Sequence, residues 1–426
     1  MVGVDARHPA VREQLALSGR GTRLLREWVE REPGSGVARA LWVLATSEAL
    51  GDAELKAELV TAFEDAEGEW ERSLVYGVYL HTHRQFTLAA DHLAAHLARF
   101  PADEVAGLML GAFHACGRPD HREAGDRLVV EQYRLAGSES WSWAGRTAWV
   151  RAEQGRVEEA WELAQHALAL FPRSGMAVHA RAHAEHELGA GPESIRFLDG
   201  WLAADPDAVQ YRHLNWHAAL QSLSAGDFDD ARRRVDTVLA ASDVGMRAAT
   251  NWRLQLCGRP PARTTPLDQV RELLAAPGGT AEVFHTFQLA LALAVHEATD
   301  DLEQLARAAE GDPRPAYAQT LAPVVRALAH ITAGRHGAAV GLLTGLGTGP
   351  VGGVRVEREI IEDTLARALV VQGDGPGAAR LLHHRTSRRR HHHYEDLLLA
   401  PAGPPSATLA ARPAPQDRAA LPAPKP

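Results

Sequence analysis

The chain has 426 residues, of which 46% are hydrophobic and 23% are charged, a balance typical of a protein that buries a substantial core. Its 45 Lys and Arg against 54 Asp and Glu leave a formal net charge of −9. This charge argues against a general nucleic-acid binder, because such proteins depend on excess cations. No apolar stretch approaches the ~20 residues of a membrane helix, and the N-terminus lacks the features of a secretory signal. We therefore expect a cytoplasmic protein that binds neither nucleic acid nor membrane.

Helical spacing of apolar residues dominates the chain, and one pattern recurs along it. The pattern is clearest from Gly155 to Pro172, with Ala160 as the small residue in mid-helix and Pro172 at the close. Weaker copies begin at Gly334 and Gly373. The clear copies recur at nearly regular intervals, and their turn positions are Arg84, Gly117, Gly155, Gly189 and Gly226.

A helix–turn–helix unit that recurs every ~34 residues is typical of tetratricopeptide repeats. Its turn residue must be small or tolerate the backbone conformation of a tight turn between two antiparallel helices. Its mid-helix Ala lets the two helices approach closely, and its Pro ends a helix. We predict an all-α, tetratricopeptide-like right-handed superhelix of antiparallel helix pairs, continuous over residues 1–400. The clearest repeats span 70–245, and degenerate repeats span 281–385. The Pro- and Ala-rich residues 401–426 are predicted to form a disordered tail.

Histidines recur in register with these repeats. His179, His183 and His186 fall at positions i, i+4 and i+7, on one face of a helix. His213 follows His179 by one repeat period, and His217 follows His183 by the same interval. First helices of neighbouring repeats pack about 8–10 Å apart, so four imidazoles should cluster on the concave surface. Trp149, one period before His183, would extend the row.

Three interpretations of the histidines remain open at this point. They could be groove residues bonded to one another, to Glu185 or Glu187, or to water. They could bind a metal through two H-x-x-x-H pairs, although no thiolate or nearby carboxylate completes a familiar ligand pattern. They could instead bind or turn over a small polar or anionic ligand, with imidazole as acid, base or donor. Trp149 and Trp216 would give such a ligand an apolar wall.

Three further motifs carry a resemblance to a known family. Over residues 70–385 the chain resembles the tetratricopeptide repeat protein 38 family, for which no biochemical activity is settled. The resemblance implies a repeat fold and marks the motif residues as candidates. The family motifs V-H-x-x-A-H, H-x-x-W-H-x-A-L and W/Y-R-L-x-L/M-x-G are matched by Val178–His183, His213–Leu220 and Trp252–Gly258.

Two segments depart from the family pattern. Phe284–Gln288 lacks the acid and second histidine of F-x-D-x-H, and Gly352–Glu359 retains only part of G-G-S-x-A-Q-R-D. The departures imply an altered C-terminal half of the site, with changed or lost activity. Arg253 and Arg358 are candidates for an anion clamp, because guanidinium suits carboxylate or phosphate; pairing with a structural carboxylate is the alternative.

Other patterns limit the chemistry. Cys116 and Cys257 stand far apart, so neither a disulfide framework nor a zinc knuckle is indicated. The basic segment His383–His393 is interpreted as a solvated helix end, with phosphate or nucleic-acid contact as the alternative. No phosphate-binding loop, dinucleotide fingerprint or nucleophile elbow occurs, which disfavours nucleotide-driven and α/β-hydrolase chemistry.

The leading functional hypothesis is a concave, His- and Trp-lined groove that binds a small molecule or a peptide. The first alternative is an enzyme acting on a small polar metabolite by histidine acid–base or metal-assisted chemistry. The second is a scaffold that binds another protein. No catalytic residue, metal or cofactor is assigned. The predicted ligand-binding residues are His179, His183, His186, Glu187, His213, Asn215, Trp216, His217, Trp149, Trp252, Arg253 and Arg358.

Overall fold

The computed structural model describes residues 8–116, 118–241 and 244–401. Over these residues the regular secondary structure is entirely helical, which confirms the predicted all-α class. Residues 402–426, which contain almost all of the predicted disordered tail, lie outside the described residues, as does the predicted turn residue Gly117.

The described residues form 23 α-helices, three 3-10 turns and one π-helical turn. The shorter turns are Ala106–Met109, Leu239–Ala241 and Gly349–Val351, and the π-helical turn is Ala316–Leu321. The α-helices are α1 (Pro9–Leu15), α2 (Gly21–Arg31), α3 (Gly36–Thr46), α4 (Asp52–Asp65), α5 (Gly68–Thr82), α6 (Phe86–Arg99), α7 (Ala112–Ala115), α8 (Pro119–Ala136), α9 (Trp141–Glu153), α10 (Val157–Leu170), α11 (Gly175–Leu188), α12 (Pro192–Ala204), α13 (Tyr211–Ala225), α14 (Phe228–Asp236), α15 (Val244–Leu256), α16 (Leu267–Ala275), α17 (Val283–Val295), α18 (Thr299–Glu310), α19 (Ala322–Thr332), α20 (His336–Leu343), α21 (Arg355–Val371), α22 (Gly375–Thr386) and α23 (His393–Leu399).

The helices alternate as first and second members of pairs. α9 packs against its partner α10 and against α11, the first helix of the next pair. The first helices α11, α13, α15, α17 and α19 continue this row, each in contact with the next. This packing is that of an α-solenoid of helix pairs, as the period of the sequence predicts.

Turn geometry agrees with the sequence prediction. The residues at the predicted turns Gly155, Gly189 and Gly226 have φ of 75°, 61° and 84°. Arg84, which stands where the other repeats have glycine, also adopts a positive φ of 56°. A positive φ reverses the chain between two helices, and glycine adopts it with least strain. The weaker repeats have the same turn at Gly334 and Gly373.

Local sequence explains where the central first helices begin and how they pack. The Ser140 hydroxyl accepts a hydrogen bond from Trp143 N and the Ser174 hydroxyl accepts one from Ala177 N, capping α9 and α11. Small residues lie where helices meet. Ala160 is fully buried and packs with alanines of the two neighbouring first helices, as expected for a position that allows close approach.

Segments near both limits of the described residues contact the middle of the array. α21 packs against α15, and α23 packs against α13. The amide of Arg390 donates to the Leu188 carbonyl at 2.9 Å, at the end of α11. At the other end, the amide of Gly175 donates to the Ala16 carbonyl at 2.7 Å. The C-terminal helices therefore pack against the row of first helices, and the residue after α1 contacts the start of α11.

The C-terminal basic segment His383–His393 spans the end of α22 and is mostly exposed, as expected of a solvated helix end, but two of its arginines are buried. Arg385 and Arg389 are 2% and 4% exposed and form ion pairs with buried carboxylates. The acids that neutralise them come from α21 and α23, which the local sequence pattern did not reveal. None of the helices over the described residues has the length and apolar character that crossing a bilayer requires.

Candidate functional site

Four histidines from two neighbouring first helices converge on one point. His179 and His183 lie on α11, and His213 and His217 lie on α13. The Nε2 atom of His179 is 2.9 Å from that of His183 and 2.9 Å from that of His213. His213 Nε2 is 3.2 Å from His217 Nε2. One ring nitrogen of each residue falls within 4.8 Å of the others, and we call this group the four-histidine cluster.

Burial keeps three of these imidazoles neutral. Desolvation, reinforced by neighbouring histidines, lowers the pKa of His179 and of His217 well below the usual value of 6.5. The same causes lower the pKa of His213 to about 3. Neutral imidazoles of such weak basicity are poor proton shuttles near pH 7, but their lone pairs remain available to a cation.

Hydrogen bonds alone do not satisfy the four-histidine cluster. A neutral imidazole carries one N–H and one lone pair. His179 Nε2 carries either the proton or the lone pair, and it lies 2.9 Å from two other Nε2 atoms. Only one of these two contacts can therefore be a well-directed hydrogen bond.

Groups outside the cluster contact its Nδ1 atoms. A Glu153 carboxylate oxygen lies 3.4 Å from His183 Nδ1. Burial opposes ionisation of Glu153, but the hydrogen bond and charge of His183, with the Arg355 amide, lower its pKa below the usual value. The Gln210 amide nitrogen lies 3.4 Å from His179 Nδ1, and Gln210 Oε1 has no partner among the described residues. Rotation of that amide would place an acceptor beside His179.

A cavity of about 320 Å³ borders the cluster at His179. Its size lies at the lower end of small-molecule sites. Gln210 and Trp149 also line it, and the Trp149 indole N–H has no hydrogen-bond partner among the described residues. Most other wall residues are apolar; they include Leu108, Leu110, Phe113, Val129, Val150 and Met176.

Arg146 brings a positive charge to the wall of this cavity. Its side chain is buried, and burial lowers its pKa to about 10, so it stays charged at neutral pH. Nε donates to the Gly107 carbonyl at 3.0 Å, and Nη1 donates to the Ser142 hydroxyl at 2.7 Å. Within the described residues, no carboxylate forms a salt bridge with Arg146 and Nη2 makes no hydrogen bond.

Two other predicted residues lie near the cluster but face differently. The Trp216 ring is buried against the rings of His213 and His217, at 5.5 and 5.2 Å between centroids. Asn215 instead faces α14, where its Oδ1 accepts from Arg234 at 3.1 Å. Trp216 therefore packs behind the cluster, and Asn215 serves helix packing.

His186 and Glu187 contact the C-terminal part of the chain instead of the cavity. His186 Nε2 lies 3.0 Å from a Glu359 carboxylate oxygen on α21. Glu187 forms ion pairs with Arg355 and Arg388, both at 3.2 Å. These residues hold α21 and the segment after α22 against α11.

The remaining predicted residues also contact α21 or the segment before it. The indole N–H of Trp252 donates to the Thr364 hydroxyl at 2.9 Å. Arg253 donates to the Val356 carbonyl and lies 3.3 Å from Asp363, which is the structural pairing named above as the alternative to an anion clamp. Arg358 donates to the carbonyls of Gly352 and Gly353. The 320 Å³ cavity is lined by none of Trp252, Arg253 and Arg358.

Three residues of the site escaped the sequence analysis. Glu153 stands one repeat period before Glu187, so the spacing that located the histidines could have found it. Gln210 and Arg146 follow no such period. Arg146 owes its place to the turn Ala106–Met109, whose Gly107 leaves room for the guanidinium: a Cβ there would lie 2.8 Å from Arg146 Nε.

Comparisons with known proteins add little. A scan against protein-family models returns no match, and no curated protein matches the sequence. Among solved structures, the chain is similar to one described as "Structure of Naa15/Naa10 bound to HypK-THB", at 14% identity and a TM-score of 0.21. The match covers 88% of this chain and 66% of that chain. A TM-score of 0.21 is too low for inference from that structure, so the helical-repeat fold rests on the packing of this chain's own helices.

Proposed function

We propose that this helical-repeat protein binds a small amphipathic molecule carrying a carboxylate group in the cavity beside the four-histidine cluster. The observation that carries the proposal is Arg146, a buried guanidinium with no salt bridge to any described carboxylate, in the wall of an otherwise largely apolar cavity. The Glu104 carboxylate acts on this guanidinium without forming an ion pair, so the buried charge is only partly compensated, and an anionic ligand would compensate it further.

Cavity size and wall chemistry narrow the ligand. A cavity of about 320 Å³ admits a small molecule. The apolar wall favours a hydrocarbon body, which contributes about 0.8 kcal/mol for each buried CH₂. The free Nη2 of Arg146 and the indole N–H of Trp149 would bind the carboxylate. A peptide along the row of first helices is disfavoured, because α21 and α23 already pack against α15 and α13.

The test is a binding series of straight-chain monocarboxylates of graded length, measured by calorimetry against wild type and Arg146→Met. We expect one chain length to bind best, and the variant to lose at least tenfold in affinity, about 1.4 kcal/mol. Methionine keeps much of the volume, so folding should survive. The matched control is Arg156→Met, because Arg156 has an exposed side chain and lies outside the cavity. Equal affinity for the carboxylate and its neutral amide would contradict the proposal.

A second candidate, an enzyme, is favoured by one observation: His179 belongs both to the cluster and to the cavity wall. A bound ligand would then lie beside the imidazoles. Mass spectrometry of a ligand incubated with wild type and with His179→Gln tests this alternative. If the ligand is chemically unchanged in both samples, the enzyme hypothesis fails and only a binding function remains.

We further propose kinship with the tetratricopeptide repeat protein 38 family. The motifs Val178–His183 and His213–Leu220 together contain all four cluster histidines. The motif residues that carry the resemblance therefore lie together in space. A solved structure of a family member should bring its equivalent histidines together in a cluster of the same kind. Histidines on separate surfaces there would contradict the kinship.

A further inference from the structure

The four-histidine cluster has the donor set of a transition-metal site. Zn²⁺ binds imidazole nitrogen at about 2.0–2.1 Å in tetrahedral geometry, which places neighbouring nitrogens about 3.3 Å apart. The three consecutive Nε2 contacts in the cluster measure 2.9, 2.9 and 3.2 Å. All four ligand atoms fall within 4.8 Å, so small shifts of the side chains would bring them around one ion.

The helices hold the donors for this geometry. Each pair has the i, i+4 spacing that places two imidazoles on one face of a helix. Packing of α11 against α13 brings the two pairs together. A site built across two packed helices needs little rearrangement, and rigid elements hold ligands more precisely than loops do.

The surroundings also suit a metal. If all four Nε2 atoms coordinate an ion, every Nδ1 carries a proton, and an acceptor on that proton orients the ring. Acceptors stand beside two of the four Nδ1 atoms, whereas His217 Nδ1 is buried without a partner among the described residues. Glu153 offers a carboxylate 3.4 Å from His183 Nδ1, and the unpartnered Gln210 Oε1 reaches His179 Nδ1 after amide rotation. Glu153 also places a negative charge near the buried cation. The unsatisfied Nε2 contacts of His179 disappear when the four lone pairs share one ion.

We infer that His179, His183, His213 and His217 bind one late first-row divalent metal ion, with Zn²⁺ as the first candidate. Four neutral imidazoles suit Zn²⁺, Cu²⁺, Ni²⁺ or Fe²⁺ and not Mg²⁺ or Ca²⁺, which take oxygen ligands. Glu153 is a positioning residue that orients His183. The inference stands apart from the proposed carboxylate cavity, because neither depends on the other.

The experiment uses full-length protein without an affinity tag, stripped with chelator and titrated with Zn²⁺. We expect one Zn²⁺ per chain and a rise in the midpoint of thermal unfolding. The double variant His183→Gln/His217→Gln should lose at least a hundredfold in Zn²⁺ affinity. Glu153→Gln should lose about tenfold while keeping the same stoichiometry, as is usual when the partner of a ligating histidine is changed.

The control removes histidines of the C-terminal run, which could bind metal weakly at the surface. His391→Gln/His392→Gln should retain full Zn²⁺ affinity. Loss of binding in this control, together with its persistence in His183→Gln/His217→Gln, would overturn the inference.

Spectroscopy keeps the inference testable if the cluster variant fails to fold. X-ray absorption of the wild-type protein loaded with Zn²⁺ should give four nitrogen neighbours at about 2.0–2.1 Å. The Co²⁺ form should show the intense visible absorption of a tetrahedral site. A shell dominated by oxygen, or six-coordinate Co²⁺, would exclude the four-histidine site. Failure of carboxylate binding would leave these results unchanged, so the two proposals fail separately.

Discussion

Because they are buried, individual histidines of the four-histidine cluster make the free energy of unfolding depend strongly on pH in the acid range. His217 is fully buried, and the His213 pKa is lowered to about 3 by desolvation and by His183. The unfolded imidazole takes up its proton near pH 6.5, whereas the folded one does so only near pH 3. Between these values the unfolded state binds more protons, so stability rises with pH across that window.

We predict that, in chelator, the free energy of unfolding falls as pH drops from 6.5 towards 3. His213 alone should contribute up to about 1.4 kcal/mol per pH unit, and about 2 kcal/mol at pH 5. His213→Asn should reduce that slope, because asparagine does not titrate. Urea unfolding at pH 7.5, 6, 5 and 4 measures the effect.

His383 provides the control, because it is exposed. His383→Gln should leave the slope unchanged. If His213→Asn and wild type lose stability in parallel down to pH 4, burial of this imidazole does not govern the acid response.

At the scale of elements, the turns between paired helices share a backbone geometry but differ in surroundings. Gly189 has φ of 61° and Gly373 has φ of 85°, so a side chain is strained at both. A Cβ on Gly189 would lie 2.7 Å from the Cβ of Arg389 and 2.8 Å from the amide nitrogen of Arg390. A Cβ on Gly373 would meet nothing within 4 Å.

We predict that Gly373→Ala costs about 1 kcal/mol of unfolding free energy, the cost of the left-handed conformation alone. Gly189→Ala should cost at least about 2 kcal/mol, because it also pushes the segment around Arg389 away from α11. Denaturant unfolding gives both values, and limited proteolysis reports detachment of that segment. Equal costs would mean that the contact between this turn and the C-terminal segment is unimportant.

At the scale of the whole molecule, buried ion pairs fasten the C-terminal helices to the array. Three guanidinium groups and three carboxylates meet among α15, α21, α22 and α23, which balances their charges. Each side chain is at most 7% exposed, so water cannot solvate these charges and each depends on its partners in the network. The members are Arg253, Arg385, Arg389, Glu359, Asp363 and Glu395.

We predict that Asp363→Asn costs about 3–5 kcal/mol, because it leaves uncompensated buried cations. It should also speed hydrogen exchange across α23. The matched control is Glu303→Gln, which breaks the exposed ion pair with Arg335 and should cost under about 1 kcal/mol. Similar losses in the two variants would contradict the fastening role of the buried network.

The helical repeat and the four-histidine cluster could be predicted because both follow from one period. A repeating unit repeats its turns, and residues one period apart occupy equivalent places on neighbouring helices. His179 and His213 therefore meet, as do His183 and His217. Glu153 obeys the same period and was predictable in principle. Arg146 obeys none, because the separate turn Ala106–Met109, more than one repeat earlier, creates its place.

Local sequence patterns are enough to predict the repeating unit of this protein: helix pairs, the positive-φ turns between them and the register of the histidines. These features depend on residues within about one repeat of each other. What packs against the row of first helices depends on the tertiary structure. Here α21 and α23 pack against α15 and α13 through contacts between residues far apart in the chain, and Arg388 forms an ion pair with Glu187. Such contacts join residues several repeats apart, so the pattern of a single repeat does not encode them.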